Sequence, residues 1–277
     1  MNPEFQYKIC SRLDAIEAML PALERDLLAM QQGDLGVQKK SNHLDLVTRA
    51  DHESEQRLVR FIQENFPEDG ILSEEGASHQ PSKDTGSFLW VIDPVDGTVN
   101  YANRLPGWGI SIGLLYADEI VGAIVSAPAY RERFRSIKGS GSSLNGNPIQ
   151  VSEETQFREG LVVTGFPYDR DRRAAPLCRA MENMLKLSGG VRRLGAAALD
   201  FCAVADGRFV GYYEMALKPW DYAAGLLIAK EAGATITDFE GNPINIFTSK
   251  GVLVSNGHVH KILQEAAAPM NEAVAIE

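Results

Sequence analysis

Apolar side chains at Phe5, Ile9, Leu13, Ile16, Leu20, Leu23 and Leu27 recur three or four residues apart, the spacing that turns one face of an α-helix inward. The pattern predicts a helix over about 4–30, with Pro21 as a point where it can kink. A polar stretch (31–42) and a short segment (44–48) lead to a second helical pattern over 51–65, with Leu58, Val59, Phe61 and Ile62 inward. Ile71 and Leu72 begin a brief strand that ends on Glu74 and Glu75, and 76–87 reads as a polar loop. Phe88 to Ile92 is a hydrophobic strand, and Pro94, which lacks an N–H and holds Asp93 extended, is expected to stop its ladder. Two apolar runs, 108–116 and 120–126, meet at Ala117-Asp118-Glu119 and predict a hairpin. Gly139 to Asn147 reads as a linker and sets the expected boundary between subdomains at 1–145 and 146–277. Beyond it, strand patterns near 161–165, 209–213, 234–238 and 251–254 alternate with helical ones at 174–187, 196–205, 222–232 and 256–267, which favours an α/β second half.

Composition narrows the class of partner. The 277 residues are 44% hydrophobic and 23% charged, as in ordinary globular chains. A net charge of −10 argues against nucleic acid as a direct partner, because the phosphate backbone needs a basic surface. A phosphorylated small molecule stays open, since metal ions can supply local positive charge. Cys10, Cys178 and Cys202 are isolated, without the spacing of a zinc site or a disulfide framework. The first residues lack a secretory apolar region, and the longest apolar runs, such as Ala223 to Ala229, are far short of a membrane span. The expected protein is soluble and cytoplasmic.

The chemistry concentrates in Trp90-Val-Ile-Asp-Pro-Val-Asp-Gly-Thr-Val-Asn-Tyr101. Asp93 and Asp96 follow a strand, and Gly97 and Thr98 turn the chain into a short helix whose free N–H groups face the same point. Paired carboxylates beside N–H donors suit a hard divalent cation and a phosphate bound side by side. Glu74, Asp221 and Asp51 also stand at strand ends, turns or helix starts, where α/β proteins gather ligand-binding groups. Taken singly, Asp221 reads as a helix cap worth about 1 kcal/mol, and Asp93-Pro-Val-Asp-Gly97 as a turn.

Four ordered motifs change that reading: Asp45-Leu-Val-Thr-Arg-Ala-Asp51, Ile71-Leu-Ser-Glu-Glu-Gly76, Trp90 to Tyr101, and Trp220-Asp-Tyr-Ala-Ala-Gly225. Over nearly its whole length the chain resembles the inositol monophosphatase family, the magnesium-dependent, lithium-sensitive phosphatases related to fructose-1,6-bisphosphatase. The resemblance implies an α/β (α+β) layered sandwich of two subdomains with the active site between them. It implies two to three Mg²⁺ ions: a first on Glu74, Asp93 and the Val95 carbonyl, a second on Asp93, Asp96 and Asp221, and a weaker third near Glu74. Glu74 and Thr98 would position the attacking water, with Asp51 hydrogen-bonded to the Thr98 hydroxyl as a proton relay. Gly97, Thr98, Asp96, Asp221, Ala197 and Glu214 would contact the substrate. Inositol 1-phosphate is the implied substrate, with histidinol phosphate, fructose 1,6-bisphosphate or a nucleotide phosphate as alternatives. A homodimer is implied as well, and some bacterial relatives also bind transcription machinery. Ser73 departs from the glycine the family usually has there. Lys40 aligns with a lysine near the third ion, although beside Lys39 it also reads as a surface lysine.

Four rival motifs carry less. Gly109-Ile-Ser-Ile-Gly113 fits a serine-hydrolase elbow, but Ser111 falls inside what reads as one continuous strand. Gly139 to Leu144 begins like a dinucleotide fingerprint and fails at its last glycine. His258 and His260 read as surface residues, and Asp169 to Arg173 as a solvated loop near the cleft.

Overall fold

The computed structural model describes residues 2–40, 46–79 and 87–276. Leu44, Asp45 and part of both polar stretches (41–42 and 80–86) lie outside them. Helix α1 (Pro3–Gln31) is capped by the Asn2 side chain, which accepts from the Glu4 N–H at 2.9 Å. It runs through Pro21, which sits on the exposed face. An interior proline costs about 3 kcal/mol. Six buried aliphatic side chains, Ile9 to Leu27, outweigh that at roughly 1.5–3 kcal/mol each.

The chain continues through β1 (Gln38–Lys39), β2 (Leu46–Val47), α2 (Arg49–Asn65), β3 (Gly70–Ser73), β4 (Ser78–His79), β5 (Leu89–Asp96), α3 (Thr98–Ala102), β6 (Gly109–Tyr116) and β7 (Glu119–Ala127). Then follow β8 (Glu132–Ile137), β9 (Ser142–Leu144), β10 (Asn147–Ile149), β11 (Leu161–Thr164), α4 (Ala174–Leu187), β12 (Gly190–Arg192) and α5 (Ala197–Ala205). The last elements are β13 (Gly211–Met215), α6 (Pro219–Glu231), β14 (Thr235–Thr237), β15 (Gly251–Ser255), α7 (His260–Ala267) and α8 (Met270–Ala275). Among the described residues, one sheet holds eight strands in the order β10-β9-β8-β7-β6-β5-β3-β4 and another five in the order β12-β11-β13-β15-β14.

Alternation along β5 sets the layers. Trp90 and Ile92 face the side covered by α1 and α2, while Val91 faces α5 and α6. The second sheet closes over α5 and α6 through Tyr212, Val252 and Val254. Its outer face, with Val162, Tyr213 and Leu253, is covered by α4, α7 and α8. The result is the expected layered sandwich, helices–sheet–helices–sheet–helices. No helix among the described residues is long and apolar enough to cross a membrane.

Two local expectations need correction. The ladder does not stop at Pro94: β5 pairs with β6 at Asp93↔Ser111 and again at Asp96↔Gly109, three steps against two. Pro94 therefore lies in a bulge, where no ladder N–H is required of it. The Gly139–Asn147 segment is not a linker. It forms most of the β9–β10 hairpin, turning at Asn145 and Gly146 with φ of 50° and 81°, and it pairs onto the edge of the larger sheet. The expected Ala117–Glu119 hairpin is present, with both Ala117 and Asp118 at positive φ.

Candidate active site

Strands β3 and β5 run parallel, with Ser73 beside Ile92, so Glu74, just past the end of β3, lies beside Asp93 within β5. The bulge then turns Asp96 and Val95 into the same region, and the Ser54 hydroxyl pins it by donating to the Pro94 carbonyl at 2.8 Å. Ser54 and Asp51 share one face of α2, three residues apart. Asp51 Oδ1 lies 2.9 Å from the Thr98 hydroxyl, which is also 3.1 Å from the Val95 carbonyl. Asp51 Oδ2 accepts from both the N–H and the hydroxyl of Thr48 at 2.8 and 2.6 Å, so α2 opens with a capping box that fixes this carboxylate. Gly97 takes φ 86° at the start of α3, a left-handed conformation that a side chain would strain.

Asp221 is the third residue of α6, not its cap, and its Oδ2 accepts from the Lys218 N–H at 2.6 Å. The helix start is held over the sheet because Ser111, opposite Asp93 in register, donates to the Trp220 carbonyl at 3.1 Å. That bond and its place inside β6 leave Ser111 without the geometry of a nucleophile elbow. Both oxygens of Asp96 accept from the start of α5, Oδ1 from Ala197 at 3.0 Å and Oδ2 from Ala198 at 2.8 Å. The Ala197 amide, expected near substrate, is thus engaged by Asp96. Glu214 stands across the cleft, half-buried, and accepts from the Tyr212 hydroxyl at 2.6 Å.

The electrostatics follow from gathering these acids out of water. Burial, then the charges of Glu74, Asp96 and Asp221, push Asp93 well above the usual carboxylate range. Burial and Glu74 do the same to Asp221. Asp96 is pushed up to about 7 by burial, against the pull of the Ala198 and Ala197 amides. Glu214 also reaches about 7 through burial, opposed by its Tyr212 bond and by Arg193. Burial raises Asp51, although the bonds from Thr48 and Thr98 oppose it. Lys40 bonds Glu74 and Glu75 at 2.9 and 2.5 Å, so the surface-lysine reading gives way to a contact at the acidic wall. The two glutamates hold its ammonium above the ordinary value despite burial.

Among the described residues no three acidic, histidine or cysteine side chains are arranged to hold a metal ion as they stand. Asp93, Asp96 and Asp221 are each turned to a backbone N–H, Asp93 to that of Val95 at 3.0 Å. Their donor set is nonetheless all carboxylate and carbonyl oxygen, which suits a hard cation such as Mg²⁺. None of those three carboxylates has a cationic partner among the described residues. Asp96, Gly97, Thr98, Ala197, Glu214 and Asp221 line a cavity of about 380 Å³ that also includes Tyr168, Asp169, Arg173, Arg193 and Lys218. The expected solvated loop is tied down there, Arg173 bonding Asp169 at 2.7 Å. His260 spends both ring nitrogens on Thr237 and Ser255 at 2.9 Å.

Sequence reasoning passed over Asp200 and Arg193. Asp200 is fully buried with neither oxygen partnered among the described residues, and burial followed by Glu214 and Asp96 pushes it well above its usual range. The available signal was a carboxylate in the otherwise apolar segment Ala196 to Ala205.

The sequence matches the inositol monophosphatase family over residues 6–274. An inositol-1-monophosphatase of Synechocystis sp. is 39% identical over 236 residues, spanning 84% of this chain and 80% of that protein. A Nus factor SuhB of Pseudomonas aeruginosa is 34% identical over 259 residues, 92% of each chain. The solved Thermotoga maritima IMPase superposes with a TM-score of 0.85 at 36% identity, covering 96% of this chain and 98% of that one. An IMPase/NADP phosphatase solved with Mg²⁺ and phosphate shares the fold, with a TM-score of 0.76 at 24% identity over 95% of this chain and 94% of that one. With the acidic cleft and the layered sandwich in place, the family match settles the assignment: this chain belongs to the inositol monophosphatase family.

Proposed function

We propose that this chain is a Mg²⁺-dependent phosphoric monoester hydrolase whose substrate is inositol 1-phosphate. The observation that carries the reading is the set of carboxylates, Asp93, Asp96 and Asp221, gathered in one cleft, raised by burial and neighbouring acids, and without a cationic partner among the described residues, beside the Thr98–Asp51 pair. In this reading Glu74, Asp93, the Val95 carbonyl, Asp96 and Asp221 hold two to three Mg²⁺ ions. Bound there, the cations acidify water and offset charge on the phosphoryl and leaving oxygens.

The chain's own groups do the rest. Thr98 and Glu74 orient the attacking water, and the Thr98 hydroxyl passes a proton to Asp51, whose raised pKa fits it to take one. The backbone N–H groups of Gly97 and Thr98 open α3, where no intrahelical acceptor exists, and face the phosphoryl oxygens. Glu214 accepts hydrogen bonds from the alcohol. Any contact at Ala197 uses atoms other than its amide N–H, which Asp96 holds. A homodimer and a cytoplasmic location belong to the same reading.

Phosphate release from inositol 1-phosphate, histidinol phosphate, fructose 1,6-bisphosphate and a nucleotide phosphate tests it, with Mg²⁺, without it, and with added Li⁺. Release led by inositol 1-phosphate, Mg²⁺-dependent and suppressed by Li⁺, is expected. Release led by another ester keeps the chemistry and moves the substrate. The Nus factor relative favours a second reading, a binding role with transcription machinery. An Asp93→Asn chain that hydrolyses nothing yet still supports the cellular phenotype would favour that role.

A further inference from the structure

Three stretches of chain meet around the start of α3. A Cβ on Gly97 would stand 3.0 Å from the Gly107 carbonyl, 3.1 Å from the Ala196 side chain and 3.2 Å from the Gly195 carbonyl. The Asn100 side chain reaches into this junction: a Cβ on Gly107 or on Gly195 would lie 3.3 Å from its Nδ2. Asn100 is the third residue of α3 and only 5% exposed. Its amide nitrogen, which carries two donors, bonds two carbonyls, Gly107 at 2.5 Å and Leu194 at 2.7 Å. Gly107 lies just before β6, in the wall that carries Asp93 and Asp96. Leu194 is 94 positions further along the chain from Asn100, beside Arg193, where the chain turns at Gly195 (φ 89°) towards α5.

Loop stability alone does not call for this arrangement. The segment after α3 is already held from α1, where Gln31 Nε2 bonds the Tyr101 and Leu105 carbonyls at 3.3 and 3.2 Å. The Leu105 N–H also returns to the Asn100 carbonyl at 2.9 Å. The bond to Leu194 does what neither of these can: it ties the first wall to the turn that enters α5. That turn delivers the Ala197 and Ala198 N–H groups to Asp96. Asp96 alone is a poor anchor for α5, because a cation would draw on the same carboxylate oxygens. The Asn100 amide is neutral and is not among the groups that line the cavity, so its hold is independent of what occupies the site.

We propose that Asn100 is a positioning residue: it fixes the turn into α5 against α3, and through that turn it sets the amides that orient Asp96. The role rests on the phosphatase reading above and adds to it a residue that touches neither phosphate nor alcohol.

The test compares Asn100→Leu, which keeps the branched shape and drops both donors, with Gln31→Leu, which drops the two loop bonds and leaves the junction alone. Both should lower Tm by similar amounts, since each removes two buried hydrogen bonds. In Asn100→Leu, kcat on inositol 1-phosphate should fall about 10- to 100-fold with KM changed far less, the cost of a misplaced group in the site. Mg²⁺ binding by calorimetry should weaken about tenfold, the lower end of what outer supports of a metal site contribute. Gln31→Leu should keep both kcat and Mg²⁺ affinity. Asn100→Ser, with one hydroxyl donor for two carbonyls, should fall between, and it decides by the same measures if Asn100→Leu does not fold. Unchanged kcat in the Asn100 variants overturns the proposal. An equal loss in Gln31→Leu overturns it too, by making loop stability the whole effect. If the intact protein hydrolyses nothing, the phosphatase reading fails first, and the Mg²⁺ titration then decides. Binding weakened in the Asn100 variants but not in Gln31→Leu sustains the positioning role, and binding alike in all of them overturns it.

Discussion

The two walls of the cleft are built differently. The wall that carries Asp51, Glu74, Asp93, Asp96 and Thr98 uses short side chains, mostly buried, on strand ends, a bulge and a capped helix start, and each of the aspartates has a backbone or hydroxyl donor. The facing wall offers long side chains, Arg193 and Lys218 exposed and Glu214 half-buried, and among the described residues only Glu214 of the three has a side-chain hydrogen bond to another side chain. Positions fixed by backbone geometry suit a step that must be repeated within tenths of an ångström. Long exposed side chains suit an alcohol that differs from one substrate to the next. The first wall should therefore govern turnover and the second affinity.

Stripping metal is the most severe way to test the first wall. Chelation should abolish phosphate release, and it should also change stability. In the metal-free protein Asp96 and Glu214, both raised to about 7, hold protons that the unfolded chain releases near its ordinary carboxylate values. The native state then binds more protons than the unfolded state between about pH 4 and pH 7, so stability is greatest at the acid end of that window and falls as pH rises through it. Thermal unfolding in EDTA should show a falling Tm from pH 5 to 7.5. At a hundred times its dissociation constant, Mg²⁺ should restore about 2.7 kcal/mol, or roughly 5–10 °C for a chain of this size. A flat Tm in EDTA would mean that the acids are balanced by something other than a cation.

Asp93→Asn comes next. It keeps the shape and removes the charge that Glu74, Asp96 and Asp221 all crowd. A fall in kcat of about a thousandfold or more is expected, with weaker Mg²⁺ binding by calorimetry. Near-normal turnover would overturn the metal assignment. Thr98→Val should cost about a hundredfold in kcat, the scale of a lost proton-transfer partner, and Thr98→Ser should recover much of it. If Ser and Val behave alike, the 2.9 Å contact with Asp51 is structural only.

The difference between the walls also governed what could be read in advance. Asp93 and Asp96 were legible because a hydrophobic strand, a proline and a glycine bracket them within six residues. Helix α4 was legible to the residue, since its apolar spacing is uninterrupted between polar ends. The bulge at Pro94 was not, because a break in pairing depends on the β6 partner rather than on the proline alone. Asn145-Gly146 was a hairpin signal hidden in a glycine- and serine-rich stretch. The 132–137 strand was passed over, because its charged Glu132, Arg133 and Arg135 find their partners on α1 and in Arg208, which only the fold brings near. Arg193 and Asp200 gain meaning only from the fold, which sets one over the cleft and buries the other beneath it.

The smallest effect isolates the second wall. Gly165 follows the end of β11, the strand beside β13, and a Cβ there would stand 1.9 Å from Glu214 Oε1 and 2.1 Å from Oε2. Those atoms are the free end of a flexible side chain, so Gly165→Ala should displace the carboxylate rather than the strand. Stability should change by about 1 kcal/mol or less, the range of substitutions that neither open a cavity nor bury a new charge. Moving Glu214 parts it from the Tyr212 hydroxyl and takes its acceptor away from the alcohol. KM for inositol 1-phosphate should rise about tenfold in Gly165→Ala and in Glu214→Gln alike, with kcat nearly constant, as expected when an interaction common to ground and transition state is lost. An aryl phosphate without hydroxyls should show neither change. A fall in kcat with KM unchanged would instead tie Glu214 to the chemical step and dissolve the division between the walls.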